Sequence, residues 1–270
     1  MKVGFIGYGS MGSMLVNSFI EYGALKPEDI IVSTRTRSKL DKLKARWEGI
    51  AIAENNMEAA QKAKYLFICV KPLDVKNILT EIHSSLTQDT NIVYIAGSVK
   101  IGRVEEAACK KVTKIIPSLT SEVAAGITLI CHGSGVEDEE ADYIDSLFNK
   151  ISIAKRISED DLALSTELTS CMPGFIASMF REIADSAKRR NLTLLRDRNM
   201  SFQEIVGRVA TKGGITEEGV KVLESKLPSV FDELFRVTLD KRKVVNRKVE
   251  DIFAGQAQQC RIDVEERGYV

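Results

Sequence analysis

Histidine is almost absent from this sequence: only His83 and His132 occur among its 270 residues. Each reads as a surface or strand-end residue, so a catalytic histidine is not expected. Cysteine offers equally little, because the five cysteines are scattered and none lies in a C-x-x-C spacing. Five scattered cysteines predict neither a zinc site nor a disulfide framework. We therefore expect no metal and a reducing, cytoplasmic environment.

Excess charge of one sign and long apolar runs are also missing. Lysine plus arginine and aspartate plus glutamate both number 38, so the formal net charge is zero. Such a chain has no overall field that attracts nucleic acid or an anionic membrane surface. With the first strand predicted to begin at residue 2, and with no apolar run long enough to span a bilayer, we expect neither a signal peptide nor a membrane span.

The first twelve residues, MKVGFIGYGSMG, contain the most informative motif. Val3, Phe5 and Ile6 form a short apolar run that predicts a buried strand. The run leads into G-x-G-x-x-G at residues 7–12 and then into a helical pattern, and this strand–turn–helix context is typical of a dinucleotide-binding fingerprint. A glycine-rich turn without a ligand is the alternative interpretation.

Each glycine of this motif has its own physical task. Gly7 allows the tight turn, Gly9 lets the backbone approach a pyrophosphate, and Gly12 lets the helix pack close to the strand. The start of the helix then presents free N–H groups and the positive end of its dipole to the phosphates. The predicted cofactor-binding residues of the motif are Gly7, Tyr8, Gly9, Ser10, Met11 and Gly12.

Strand and helix patterns alternate as far as residue 157. This alternation predicts right-handed crossovers and an α/β fold with a Rossmann-type, doubly wound, mostly parallel sheet. From residue 158 the periodicity is helical, with a break predicted at Pro228 and a loosely held tail from Ala254. We therefore predict a dinucleotide-binding domain at 1–157 and an all-α domain for substrate and dimer contacts at 158–270.

The end of the second strand indicates which nicotinamide cofactor is bound. An acidic residue at this place selects NAD, whereas an arginine accommodates the 2′-phosphate of NADP. Residues 33–37 read STRTR and contain no carboxylate. Because arginine suits bidentate phosphate contacts, we predict NADPH rather than NADH, bound by Thr34 and Arg35. A solvated basic surface is the alternative.

Two further strand ends belong to the same crevice, because ligands of open α/β sheets lie beyond the carboxyl ends of the strands. They add five predicted cofactor contacts: Val70, Lys71, Pro72, Ala96 and Gly97.

These motifs together resemble the pyrroline-5-carboxylate reductases. The resemblance rests on GxGxMG, on VKP at 70–72, on AGS at 96–98 and on Pro117. In the helical part, TKGGITEEG at 211–219 followed by Leu223-Glu224 is similar to the family's S-P-G-G-T-T-x-x-G…L-E signature. The resemblance implies NAD(P)H-dependent reduction of the cyclic imine pyrroline-5-carboxylate to proline. It also implies a homodimer or higher homo-oligomer assembled through the helical domains.

The resemblance further implies a substrate site on this signature. Backbone amides and hydroxyls there hold the substrate carboxylate, and the hydroxyl of Thr216 lies close to the imine nitrogen as the catalytic group. The substrate-binding residues so implied are Thr211, Lys212, Gly213, Gly214 and Thr216. Adjacent glycines free N–H groups for an anion, whereas Glu217 and Glu218 bring negative charge to the same helix start. A capped helix start without a ligand is the alternative.

Several positions depart from the family pattern. Met172 replaces a glycine, Ser118 replaces the asparagine of P-N-T-P, and Ile215 replaces the first threonine of the signature. These departures resemble the divergent late-competence branch, and they leave open a regulatory or binding paralogue without turnover. A β-hydroxyacid dehydrogenase is the third hypothesis. It shares the glycine motif but needs a lysine on the helix that opens the second domain, and residues 159–181 contain none.

Overall fold

The computed structural model describes residues 2–108, 111–173, 179 and 215–267. Of residues 37, 215–217 and 255–267 it describes the backbone alone.

Eight strands form a single sheet within this part of the chain. They are β1 (Val3–Ile6), β2 (Ile30–Ser33), β3 (Ala51–Ile52), β4 (Tyr65–Ile68), β5 (Asn91–Tyr94), β6 (Val112–Ile116), β7 (Gly126–His132) and β8 (Ser152–Arg156). Their spatial order is β3-β2-β1-β4-β5-β6-β7-β8. Only β7 runs antiparallel to a neighbour, β6, and the other adjacent pairs described are parallel. The predicted mostly parallel Rossmann-type sheet is confirmed.

Helices connect and follow these strands. They are α1 (Ser10–Glu21), α2 (Arg37–Arg46), α3 (Asn56–Lys62), α4 (Val75–Ile82), α5 (Ile101–Ala107), α6 (Asp138–Phe148), α7 (Leu162–Thr166) and α8 (Ile215–Arg267). Short 3-10 turns lie at Pro27–Asp29, Pro72–Asp74, His83–Ser85 and Leu119–Val123, and a π-helical turn at Glu167–Cys171 follows α7. The C-terminal helical region agrees with the predicted fold class.

The sheet has an apolar core on each face because its strands are short and almost wholly apolar. Phe5 and Phe67 are register partners on β1 and β4, and their rings stack at 4.7 Å. Phe19 of α1 covers them on the same face. Ile68 and Leu79 belong to the core on the other face. Burying each such side chain contributes roughly 1.5–3 kcal/mol to the stability of the fold. This core holds the strands, and with them the loops that follow the strand ends, in fixed positions.

Helix α8 differs from the expected pattern in two ways. It continues through Pro228, so the predicted break is wrong, and it passes Ala254 to reach Arg267, where a loosely held tail was expected. A proline removes one intrahelical hydrogen bond at a cost of about 3 kcal/mol. That cost is small beside the bonds of a helix of 53 residues. Beyond Ala254, glutamine, arginine and glutamate favour a helix.

The chain forms two compact units, Met1–Gly174 with Val245–Val270, and Phe175–Val244. The first unit therefore includes residues 158–174 and the last stretch of α8, which sequence patterns assign to the helical domain. The role of residues 158–270 in substrate and dimer contacts stays a prediction. The predicted helical stretches 175–189 and 202–209 fall outside the described residues, apart from Met179.

None of the described helices is long and apolar enough to cross a membrane. The described residues also contain no group of three or more histidine, cysteine, aspartate or glutamate side chains placed to hold a metal ion.

Candidate functional site

Four neighbouring parallel strands bring the predicted cofactor-binding residues to one edge of the sheet. In the register, Ile6 pairs with Ser33 and Ile68, and Ile68 pairs with Tyr94. The carboxyl ends of β2, β1, β4 and β5 therefore lie side by side in that order. The loops that follow them carry Thr34 and Arg35, residues 7–12, residues 70–72, and Ala96 and Gly97. The strand order reverses between β1 and β4, where such sheets bind ligands.

Gly7 and Gly12 are required by the fold of the glycine loop itself. Gly7 has a φ of +96°, in the left-handed region, and a Cβ on it would lie 2.5 Å from the carbonyl oxygen of Cys69. A Cβ on Gly12 would overlap the carbonyl oxygen of Gly7. These two positions hold the start of α1 against the ends of β1 and β4, as the sequence motif predicts.

Gly9 lies in a different environment, because a Cβ on it would meet no atom within 4 Å. Its φ of −83° is open to any residue, so neither packing nor backbone geometry requires glycine here. Gly9 is the N-cap of α1, which has no side-chain capping bond and no acidic residue in its first turn. The first N–H groups of a helix need acceptors. This open, uncapped helix start fits the phosphates of a dinucleotide.

Tyr8 contributes its backbone rather than its ring to this loop. The ring is buried in the core under α1, and Asn17 Nδ2 donates to its Oη at 3.5 Å. Burial raises the pKa of Tyr8, so the phenol stays neutral. On the outside, Lys39 Nζ donates to the Tyr8 carbonyl oxygen at 3.5 Å. Sequence reasoning missed this cation, which reaches the loop from α2.

The end of β2 is joined to the glycine loop and to α3. The N–H of Gly7 donates to the Ser33 carbonyl at 2.9 Å. The Ser33 hydroxyl donates to Asn56 Oδ1 at 2.8 Å, and Asn56 Nδ2 donates to Glu81 at 2.8 Å. Thr34 is half-buried and Arg35 is exposed. Asn56 was not predicted, because its position beside β2 depends on a crossover rather than on nearby residues.

The loop after β4 packs directly behind Gly7. A Cβ on Gly7 would stand 3.1 Å from Cγ1 of Val70. The Lys71 carbonyl accepts the Asp74 N–H at 2.9 Å, and Pro72 opens the short 3-10 turn. Burial raises the pKa of the neighbouring Cys69 thiol to about 12. This thiol is therefore neutral and no nucleophile.

The turn after β5 accepts a hydrogen bond from a buried lysine. The Ala96 carbonyl accepts the Val99 N–H at 3.0 Å, which closes the turn. Lys114 Nζ donates to the Gly97 carbonyl at 3.4 Å and forms an ion pair with Glu159. Burial lowers the pKa of Lys114, while the hydrogen bond to Glu159 acts in the opposite direction. Sequence reasoning missed both charged residues, since neither lies in a motif.

Two of the positions that depart from the family pattern lie near each other. Ser118 is fully buried, and its Oγ lies 2.9 Å from Thr120 Oγ1 and accepts the Thr120 N–H at 3.4 Å. The Ser170 hydroxyl donates to the Pro117 carbonyl at 3.2 Å, and Met172 follows, half-buried. Ser118 is thus occupied as the cap of the turn Leu119–Val123.

The predicted substrate residues are placed only in part. Thr211, Lys212, Gly213 and Gly214 lie outside the described residues. The backbone of Thr216 is in the first turn of α8, and its side chain is not described. The substrate site therefore stays a prediction from sequence.

Comparison with known proteins identifies the family. Pyrroline-5-carboxylate reductase 3 of Bacillus subtilis is 33% identical over 267 residues, which cover 92% of this chain and 98% of the relative. The chain belongs to the pyrroline-5-carboxylate reductase family. The predicted membership, and with it an oxidoreductase family that acts on a cyclic imine, is confirmed. The B. subtilis ComE operon protein 4 is also similar, at 30% identity over 88% of this chain and 94% of its own.

Two further comparisons concern the fold of this chain. Residues 2–98 match the family described as NADP oxidoreductase, coenzyme F420-dependent. The Plasmodium falciparum pyrroline carboxylate reductase, solved with NADP bound, superposes with a TM-score of 0.73 at 20% identity over 94% of this chain and 98% of its own. At that identity the likeness establishes a common fold.

Proposed function

We propose that this chain binds NADPH at the glycine loop and reduces 1-pyrroline-5-carboxylate to proline. The observation that carries the proposal is the open, uncapped start of α1 beside Gly9, in a chain of this family. Glycine is found there although the protein's own packing does not require it. A phosphate that approaches the backbone closely accounts for that choice.

The preference for NADPH over NADH rests on the loop after β2. Arg35 is exposed beside the glycine loop, and residues 33–37 include no carboxylate to accept the ribose hydroxyls. An arginine at this place favours a 2′-phosphate. The N–H groups at the start of α1 hold the pyrophosphate, and the loops after β4 and β5 hold the nicotinamide half.

The reaction adds a hydride to the imine carbon and a proton to the imine nitrogen, so that the C=N bond becomes C–N with a new N–H. The bound nicotinamide supplies the hydride. The protein's residues orient the imine, exclude water and supply a hydrogen bond at its nitrogen. We assign that hydrogen bond to the Thr216 hydroxyl. An imine is basic enough that no stronger acid is needed, which suits a chain with two histidines.

The substrate carboxylate is assigned to residues 211–214. We propose that the N–H groups of Gly213 and Gly214 and the hydroxyl of Thr211 donate hydrogen bonds to this carboxylate. Lys212 supplies positive charge where Glu217 and Glu218 would otherwise repel an anion.

We also propose a homo-oligomer assembled through the helical part, in the cytoplasm. On α8, Val230, Val237 and Val244 are about half exposed and recur every seventh residue. Apolar residues at this spacing form a stripe along a helix that a partner helix can cover.

A regulatory paralogue that binds the dinucleotide without turnover is the second candidate. The likeness to ComE operon protein 4, whose name refers to an operon and not to a reaction, supports it. So does Ser118, whose hydroxyl is already engaged in capping a turn and whose position is asparagine in the family pattern.

The Thr216→Val substitution tests the assigned chemistry. We expect kcat for pyrroline-5-carboxylate reduction to fall by about 10²-fold or more, as for loss of one positioned hydrogen-bond donor in an active site, with NADPH affinity unchanged. Thr238→Val is the matched control, because Thr238 lies on the same helix and donates to the Phe235 carbonyl. Equal kcat in Thr216→Val and wild type would remove Thr216 from the mechanism.

A further inference from the structure

A lysine is buried inside the sheet of the dinucleotide-binding unit. Lys114 lies on β6, and its side chain is 2% exposed. Its ammonium group pairs with the Glu159 carboxylate, donates to the Gly97 carbonyl at 3.4 Å, and lies 5.8 Å from the centre of the Tyr94 ring. A buried ammonium needs such partners, because removal from water is costly. All of these partners belong to, or contact, the loop between β5 and α5.

That loop joins β5 to α5 and is bonded at three places. Lys114 holds the Gly97 carbonyl, and the Tyr94 hydroxyl donates to the Val99 carbonyl at 2.9 Å. The N–H of Ile101, the first residue of α5, donates to Glu159 Oε1 at 2.9 Å. Lys114 therefore holds the middle of the loop, and Glu159 holds its end at the start of α5. Glu159 is one-third exposed and comes from the segment after β8.

Stability alone does not account for this pair. Replacing a buried ion pair by apolar residues is often neutral or stabilising, because two charges no longer have to leave water. The loop that the pair holds lies at the carboxyl edge of the sheet, among the cofactor loops. With the pyrophosphate at the loop after β1 and the adenosine at the loop after β2, as we propose, the dinucleotide continues across the sheet. Its nicotinamide end would then meet the loops after β4 and β5.

We propose that Lys114 and Glu159 are positioning residues that set the Ala96–Gly97 turn and, through it, the placement of the nicotinamide half of the bound dinucleotide. The inference rests on the proposed function, since it concerns a cofactor at the glycine loop. Neither residue touches the reacting atoms. They act through the Gly97 carbonyl and the start of α5.

The surroundings of Lys114 make this positioning sensitive to alkaline pH. The titratable or charged groups that face the cluster are Tyr94 on β5, Lys100 and Glu105 around α5, Cys131 on β7, and Glu159. Burial lowers the pKa of Lys114, and Lys100 lowers it further, while Glu159 and Cys131 raise it. Deprotonation would abolish the ion pair and weaken the hydrogen bond to the Gly97 carbonyl, because a neutral amine is a poorer donor than an ammonium group. Turnover should then fall at the alkaline end, and Lys114→Arg, which keeps its charge at every such pH, should lack that fall.

The experiment compares Lys114→Met, Lys114→Arg and Glu159→Gln with wild type. Lys111→Met is the matched control, because Lys111 lies just before β6 and pairs with Glu137 and Glu140 instead. Four quantities are measured: the melting temperature without cofactor, the NADPH dissociation constant, the fluorescence enhancement of bound NADPH, and kcat with pyrroline-5-carboxylate across pH. The enhancement reports how firmly the nicotinamide ring is held and needs no turnover.

For Lys114→Met we expect a lower melting temperature, because the Glu159 carboxylate loses its charged partner. We also expect an NADPH dissociation constant within threefold of wild type, a clearly smaller enhancement and a kcat at least tenfold lower. Glu159→Gln should shift enhancement and kcat in the same direction, and it carries the test if Lys114→Met does not fold. Lys114→Arg should keep at least half of the wild-type kcat. Lys111→Met should stay within twofold of wild type in the NADPH dissociation constant, the enhancement and kcat.

The proposal is overturned if Lys114→Met matches wild type in enhancement and kcat. It is also overturned if activity and stability fall together in Lys114→Met and Glu159→Gln and arginine restores neither. A wild type that binds NADPH without turnover contradicts the proposed reaction instead, and the enhancement of the variants then decides the positioning role. A wild type that does not bind NADPH overturns both.

Discussion

The N–H of Gly7 donates a hydrogen bond of 2.9 Å to the carbonyl oxygen of Ser33. This single bond joins the glycine loop after β1 to the loop that carries Thr34 and Arg35 after β2. The proposed sites for the pyrophosphate and for the 2′-phosphate are thus neighbours on one rigid edge. The two assignments can be tested separately, because different residues carry them.

Gly9 and Gly12 should respond to alanine in opposite ways. In Gly12→Ala the new methyl overlaps the Gly7 carbonyl, so we expect a stability loss of about 1–3 kcal/mol despite alanine's better helix propensity. In Gly9→Ala the methyl meets open space, so stability should change by less than about 0.5 kcal/mol. NADPH affinity should nevertheless fall at least tenfold in Gly9→Ala. Urea unfolding and NADPH titration measure the two effects, and unaltered NADPH affinity in Gly9→Ala would contradict the phosphate assignment.

Arg35→Ala tests cofactor choice. Loss of a charge-assisted hydrogen bond to phosphate should weaken NADPH binding by about 1.5–3 kcal/mol and leave NADH binding unchanged. Lys44→Ala is the control, since Lys44 is an exposed cation on the neighbouring α2. Titration with both cofactors measures the effect. Equal NADPH affinities for wild type and Arg35→Ala would show that another group binds the 2′-phosphate.

His132 should make stability depend on pH below neutrality. It is half-buried, with Nδ1 3.0 Å from Thr113 Oγ1 and Nε2 3.2 Å from Asp145 Oδ1. Burial lowers its pKa below 6.5, although the Asp145 hydrogen bond opposes this. As pH falls below 6.5, the unfolded state binds a proton before the folded state does, so the free energy of unfolding decreases.

Urea unfolding of wild type and His132→Gln across pH 5–8 measures how much His132 contributes to the pH dependence of the free energy of unfolding. His83→Gln, at an exposed histidine, is the control. The stability difference between wild type and His132→Gln should be constant above about pH 7.5 and shrink as the pH falls, because unperturbed histidine titrates near 6.5. A difference that grows on acidification would mean that the Asp145 ion pair outweighs burial.

Pro228 is expected to weaken α8 without breaking it. Because Pro228 is exposed, alanine there should restore one helical hydrogen bond at little packing cost and add up to about 3 kcal/mol to stability. Ser229→Ala is the neighbouring control and should change stability much less. Far-UV circular dichroism melts of both variants check this. A lower melting temperature for Pro228→Ala would mean that the proline makes contacts worth more than the missing bond.

The sequence predicted best what nearby residues determine. The turn at Gly7, the close packing at Gly12 and the apolar strands all follow from local sterics and burial, and the structure confirms their geometry. Pro228 was misjudged because a single residue's propensity is weaker than the cooperative bonding of a long helix.

The polar partners of the site could not be predicted from the sequence for a different reason. Lys114 and Glu159 are 45 residues apart, and a lysine in a strand usually reads as solvent-facing. Only the sheet order brings them under the Gly97 turn. Asn56 and Lys39 were missed likewise, because their contacts with Ser33 and Tyr8 depend on how α3 and α2 return to the sheet.

Oxidation of NADPH by the purified wild-type chain in the presence of pyrroline-5-carboxylate tests the central claim most directly. The loss of NADPH absorbance is followed with and without the imine, and proline is quantified in the same samples. We predict oxidation that depends on the imine, with one proline formed per NADPH consumed and slower turnover with NADH. Firm binding of NADPH without imine-dependent oxidation would contradict the claim and favour the regulatory paralogue.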